Sequence, residues 1–317
     1  MAHGDRPKIV LATEDSFAAL IRQFRVSPKF LDYSPSTQDI WGRELDHMSY
    51  PDTLGAVSIN ELRPSIVQAY FDGLAGRTGK QNSALSVMKQ LEKWAIVRDL
   101  LPRQITIGVE IEHSEDGHIP WTDEQVALGE KECRADLAKA ITLASNTGQR
   151  GSDLVRMGPT DLETYQGIDG INVKQMKTGK VMWIPITSPL ALAMKDWPRR
   201  PGPFLTQRNG RAWTRKQLTK AWMFYRDTNA AMEPLRLCGP DKDTPLVLHG
   251  LRGTACVRLR RAGATAEQIA DMVGMSVEMV ERYCRFSVQR ENAVAAIHHL
   301  ERNISERKGD KFRKGTN

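Results

Sequence analysis

The sequence predicts a mainly α-helical protein with one small β-hairpin or sheet, folded as two domains. Three observations lead there. Segments with apolar residues at helical spacing fill both halves of the chain, an aperiodic acidic stretch interrupts them, and two β-rich runs flank a glycine turn in the second half. At 317 residues the chain has room for one large or two ordinary domains.

In the first domain, Phe17, Leu20, Ile21 and Phe24 trace an amphipathic segment from Ser16 to Phe24. Ser34-Pro35-Ser36-Thr37 starts a helix running to Met48, because serine caps a helix and proline suits its first turn. Asn60-Glu61-Leu62-Arg63-Pro64 announces a second, to Leu74. Lys80 to Leu101 reads as a third, with Leu85, Met88, Leu91, Ile96 and Leu100 as its apolar stripe and Pro102 as its stop. Ile105 to Pro120 carries Glu110, Glu112, Glu115, Asp116 and Gly117 without helical period and reads as a linker. The domains are therefore set at 1–112, with a flexible start over about 1–15, and 113–304, followed by a basic tail at 305–317.

The second domain opens at Trp121-Thr122-Asp123-Glu124 with a long helical region that stops at Asn146-Thr147-Gly148. Ile171 to Lys177 and Val181 to Ile186, on either side of Thr178-Gly179-Lys180, read as a hairpin. The remainder is again mainly helical.

Composition narrows the function classes. With 40% hydrophobic and 26% charged residues, the chain is neither a disordered tail nor a disulfide-stapled miniprotein. No apolar run approaches the roughly 18 residues of a membrane span, and residues 1–6 lack a signal-peptide pattern, so a cytoplasmic protein with no membrane partner is expected. Cys133, Cys238, Cys256 and Cys284 are scattered, which fits reduced thiols and no metal site. A net charge of +7 points to a polyanionic partner.

Four segments of the second domain carry the chemistry: Thr147-Gly148-Gln149-Arg150-Gly151-Ser152-Asp153, the hairpin with Lys177, His249-Gly250-Leu251-Arg252, and Val280-Glu281-Arg282-Tyr283. Singly each is weak, since Arg150 serves equally as a solvated cap, Lys177 as an exposed hairpin lysine and His249 as a core histidine. In this order and spacing they resemble the tyrosine recombinase (phage integrase) family. Its signature is an arginine in a TGxRxxE/D turn, a hairpin lysine, HxxR and a tyrosine nucleophile. The resemblance covers roughly residues 119 to 300, and the first domain resembles that family's helical core-binding domain. It implies a two-domain architecture in which a helical domain and an α/β catalytic domain close around duplex DNA.

The resemblance further implies a site-specific DNA recombinase that cuts and rejoins DNA through a 3′-phosphotyrosyl intermediate, with Tyr283 as nucleophile, and with no metal or nucleotide cofactor. Arg150 and Arg252 would clamp the scissile phosphate, a task suited to planar, permanently charged guanidiniums. His249 would act as general acid/base and Lys177 would protonate the leaving 5′ oxygen. Lys174 and Lys180 are close rivals of Lys177, and the choice rests on the family's pattern. Asp153, three residues after Arg150, would hold the arginine or the histidine in place. One position departs from the family: Met275 stands where His or Trp is usual and donates no hydrogen bond, so its expected role is to pack against Tyr283 or its helix.

Expected partners are double-stranded DNA bearing recombination sites and further copies of this chain, as a homo-tetramer on DNA. An accessory directionality factor is a further candidate. Lys80, Lys89, Lys93 and Arg98 in the first domain, and Arg208, Arg211, Arg215 and Lys216 in the second, are candidate contacts to the DNA backbone. Gln289 to His299 is a candidate for docking on a neighbouring protomer. Three rivals stand beside this reading: a helix-turn-helix regulator, since Ala264 to Ser276 scans as helix, glycine turn, helix; a recombinase fold that has lost strand transfer; and a type IB topoisomerase.

Overall fold

The computed structural model describes residues 14–112, 118–238 and 244–285, together with the helical positions 293, 297, 300 and 301. The chain divides into two compact units, Met1–Glu115 and Asp116–Asn317. No described helix is long and apolar enough to cross a membrane. Apart from Ala293 and Ile297, the docking segment expected at Gln289 to His299 lies outside the described residues, as does the 305–317 tail.

The first unit holds α1 (Phe17–Arg25), α2 (Pro28–Leu31), α3 (Pro35–Met48), α4 (Pro64–Asp72) and α5 (Thr78–Ile96). Ser16, Ser27 and Ser34 cap the first three by accepting from backbone N–H groups one turn on, and proline occupies the first turn of α2, α3 and α4. Phe17, Leu20, Phe24, Leu45, Met48, Phe71, Met88 and Leu91 fill the core between them.

Two expectations change here. The third helix ends at Ile96 rather than Leu101, because Asp99 turns to φ 55° and the Leu100 N–H returns to the Ala95 carbonyl. Residues 105–112 of the expected linker are folded onto this unit. The Glu92 carboxylate accepts the Ile105 and Thr106 amides, both at 2.6 Å, Ile105 is fully buried, and the Gln81 side chain accepts the Glu112 amide at 2.9 Å.

The second unit runs α6 (Asp123–Glu132), α7 (Ala135–Thr147), α8 (Gly151–Leu154), β1 (Leu162–Tyr165), β2 (Ile168–Lys174), β3 (Val181–Pro185), α9 (Ser188–Met194), α10 (Arg215–Thr228), α11 (Gly250–Arg261), α12 (Ala266–Val273) and α13 (Val277–Cys284). The long helical region is two helices, since Cys133 and Arg134 are extended between α6 and α7. The hairpin is part of a three-stranded antiparallel sheet in the order β1-β2-β3, pairing Leu162 with Ile171 and Asn172 with Trp183. β1 escaped the sequence reading because, with four residues and one partly buried side chain, it carries no alternation. Leu137, Ile141, Ile171, Ile184, Leu218, Trp222 and Leu251 belong to one core that joins helices and sheet.

Candidate active site

α7 stops at Gly148, whose φ of 63° suits glycine, and a Cβ there would lie 2.8 Å from Val273. This turn delivers Gln149 and then Arg150, the N-cap residue of α8. Arg150 is half-buried, and its Nη1 donates to Gln175 Oε1 at 2.8 Å. Gln175, just past β2, is buried and donates to Gln149 Oε1 at 2.9 Å and to the Val273 carbonyl at 3.3 Å.

Arg252, in the first turn of α11, is only 3% exposed. Its Nη1 donates to the carbonyls of Gly148 (2.6 Å) and Val273 (3.0 Å), and its Nη2 to that of Gly274 (2.9 Å). The α7–α8 turn and the α12–α13 turn are thereby tied to one guanidinium. Of its five N–H groups, Nε–H and one Nη2–H have no partner among the described residues, and two such donors suit two oxygens of a phosphate. Burial, then the like charge of Arg150, pulls Arg252 down to about 10, so it remains a cation at neutral pH.

His249 precedes α11 and sets its ring 4.8 Å from that of His118. Burial first, then the positive charges of His118, Arg252, Arg215 and Arg150, push His249 down to about 4. It is therefore a neutral imidazole at pH 7, able to accept a proton. Tyr283, on α13, is half-buried. Its ring lies against Gly253, where a Cβ would come within 2.7 Å of the tyrosine Cδ1. Burial raises the Tyr283 hydroxyl, while Arg252, Arg282 and Arg150 oppose that rise. The phenol therefore keeps its proton at neutral pH, and a partner must take it when the oxygen attacks.

The remaining expected residues divide. Met275 is half-buried and packs in a small cluster with Cys256, Val280, Cys284 and Tyr283, its Sδ 3.8 Å from Cys256 Sγ. Asp153 is buried but holds neither arginine nor histidine by a hydrogen bond. Because α8 begins only at Gly151, its carboxylate turns to the hairpin and accepts the Met176 amide at 2.8 Å. Lys177 is exposed in the β2–β3 turn, and no described residue pairs with it, whereas its rival Lys180 pairs with Asp271 at 3.2 Å. Of the proposed DNA contacts, Lys89 and Lys93 line an open groove on α5 with Gln104 and Ile107, and Arg98 stacks over Trp94 at 5.0 Å. Lys80 is half-buried on α5, while Arg208, Arg211 and Lys216 are exposed on the second unit.

Arg215, read from sequence as a backbone contact, belongs with the site. Its Cγ lies 3.4 Å from where a Gly151 Cβ would stand, and its charge reaches His249. Gln149, Gln175, Gly253 and His118 were not anticipated. The first three stand within two residues of a motif member, which was the available signal; His118 lies in the aperiodic stretch, where no pattern marks it.

The profile of the phage integrase family matches residues 125–290, more than half the chain and all the motifs above. The chain belongs to the phage integrase family of tyrosine recombinases. No curated protein sequence matches it. Among solved structures it is similar to a lambda integrase dimer bound to a COC′ core site, at 16% identity and TM-score 0.70 over 85% of this chain and 77% of that one. A lambda integrase tetramer bound to a Holliday junction gives 16% and 0.68, over 86% and 83%. The Tn1549 transposon integrase in complex with transposon right end DNA gives 15% and 0.66, over 90% and 99%. At such identities the likeness is one of fold, and the phage integrase fold is what this chain shares with them.

Proposed function

We propose that the protein is a site-specific DNA recombinase that exchanges strands through a 3′-phosphotyrosyl intermediate. The observation that carries this reading is the convergence of two guanidiniums, Arg150 and Arg252, a neutral imidazole, His249, and a protonated tyrosine, Tyr283, in one half-buried site. That set fits a phosphodiester and an oxygen nucleophile.

Tyr283 Oη attacks the phosphorus while His249 takes the phenolic proton. The new O–P bond replaces the bond to the 5′ oxygen, which leaves with a proton supplied by Lys177. Arg150 and Arg252 hold the non-bridging oxygens as charge builds on them. Losing either would cost on the order of 10²-fold in rate, as for a removed oxyanion donor. Rejoining reverses each step with another 5′ hydroxyl, and the phosphodiester energy is retained in the tyrosyl ester. A cut duplex must be held while strands change partners, which supports duplex DNA as substrate and a tetramer as the working assembly, as in the lambda integrase complex with a Holliday junction.

The helix-turn-helix reading is less well supported, because the carbonyls of the α12–α13 turn are spent on Arg252 inside the cationic site. The deciding experiment is covalent trapping on nicked DNA from the flanks of the gene, with Tyr283→Phe alongside. A denaturation-resistant protein–DNA band from the wild type, absent in the variant, is the expected result. DNA binding by both proteins with no such band from either would overturn strand transfer.

A further inference from the structure

The segment His118–Trp121 forms a strap across the start of α11, and the fit is close at each residue. A Cβ on Gly250 would meet the Ile119 carbonyl at 2.2 Å, and one on Gly253 would meet Pro120 at 2.9 Å beside the Tyr283 ring. Trp121 N–H donates to Thr254 Oγ1 at 2.8 Å, Thr254 Oγ1 donates back to the Trp121 carbonyl at 3.0 Å, and Trp121 Nε1 donates to the Val247 carbonyl at 3.0 Å. The strap is therefore fixed to the stretch that carries both His249 and Arg252. Its first residue, His118, sets its ring at 77° to that of His249 with centroids 4.8 Å apart. No hydrogen bond to a described residue orients the His249 ring, although a catalytic base is ordinarily held by a third group.

We infer that His118 is a positioning residue: its ring, clamped by the strap, holds the His249 imidazole edge-to-face in the orientation from which it accepts the Tyr283 proton. The inference rests on the strand-transfer reading for what the orientation achieves, but the contact itself does not depend on it. Charge acts through the same contact. The groups that face His249 are His118 from the strap, Arg252 from α11, Arg215 from α10 and Arg150 from the α7–α8 turn, all cationic or able to become so. Burial holds His118 below the ordinary imidazole range, so at neutral pH it acts through its ring, and only where acid protonates it does its charge oppose a proton on His249.

The test uses the full chain with His118→Ala, which removes ring and charge, and His118→Phe, which keeps the ring alone. On nicked DNA, His118→Ala is expected to form the covalent complex about 10-fold more slowly at unchanged DNA affinity, as a misplaced catalytic group would. His118→Phe should restore most of that rate. In the DNA-free protein, the NMR titration of the His249 ring should move to higher pH in His118→Phe, where a charge is lost, and further in His118→Ala, where burial is lost as well. Wild-type cleavage by His118→Ala, or a His249 titration unmoved in both variants, overturns the inference. If the wild type traps no DNA, the strand-transfer reading fails by itself, and the titration alone decides whether His118 governs His249.

Discussion

The Tyr283 ring rests on Gly253, so closely that a Cβ at 253 would stand 2.7 Å from its Cδ1 and 3.0 Å from its Cε1. Gly253 follows Arg252 directly, so the contact sets the candidate nucleophile against the helix that carries Arg252. Gly253→Ala should displace the tyrosine and the strap's Pro120, with an overpacking cost of about 1–3 kcal/mol. Urea unfolding and the rate of covalent complex formation should both report it. A variant with wild-type rate would show that the ring has room to move.

Arg252 and Arg150 should separate in their effect on stability while agreeing in their effect on cleavage. Arg252→Met leaves the buried Gly148 and Gly274 carbonyls without this donor, while Val273 keeps Gln149 and Gln175, and should cost about 2–3 kcal/mol. Arg150→Met loses one hydrogen bond, to Gln175, worth about 1 kcal/mol. Urea midpoints measure the difference; equal losses would contradict the structural role given to Arg252.

His249 titrates at about 4 in the folded protein against an ordinary 6.5, so the unfolded chain takes up this proton first. The stability this group contributes is complete above about pH 6.5 and is lost as pH falls towards 4. His249→Asn should flatten that part of the stability profile. For the same reason, wild-type cleavage should show no loss from His249 protonation between pH 6 and pH 8, which a pH–rate series on trapped complexes would check.

Met275→His restores a donor at the position where the family has one. It should raise the cleavage rate while lowering stability, since the contact with Cys256 and the fit beside Tyr283 are lost. A rate that does not rise would show that packing alone serves at this position.

Much of the fold was legible because its signals are local. The Ser34-Pro35 start of α3 and the glycine stops of α7 and α12 each use one residue type whose backbone chemistry admits few alternatives. The end of α5 was not, because Leu100 and Leu101 keep to the apolar stripe after the helix has already turned at Asp99. At the candidate site, motif order named Arg150, His249, Arg252 and Tyr283, all of which lie in the second unit. Asp153 was read as a support for the arginine or the histidine, and spacing along the chain does not reveal that its carboxylate accepts the hairpin's Met176 amide. Gln149 and Gln175 join residues 26 positions apart in sequence, and a contact of that kind leaves no periodic trace.

The carbonyl ties of Arg252 also bear on how this lineage can decay. Replacing Arg252 would open two turns at once, so the architecture itself requires this side chain, whatever the fate of the activity. Among relatives, an arginine at this position would then testify to a surviving scaffold and not by itself to a surviving activity.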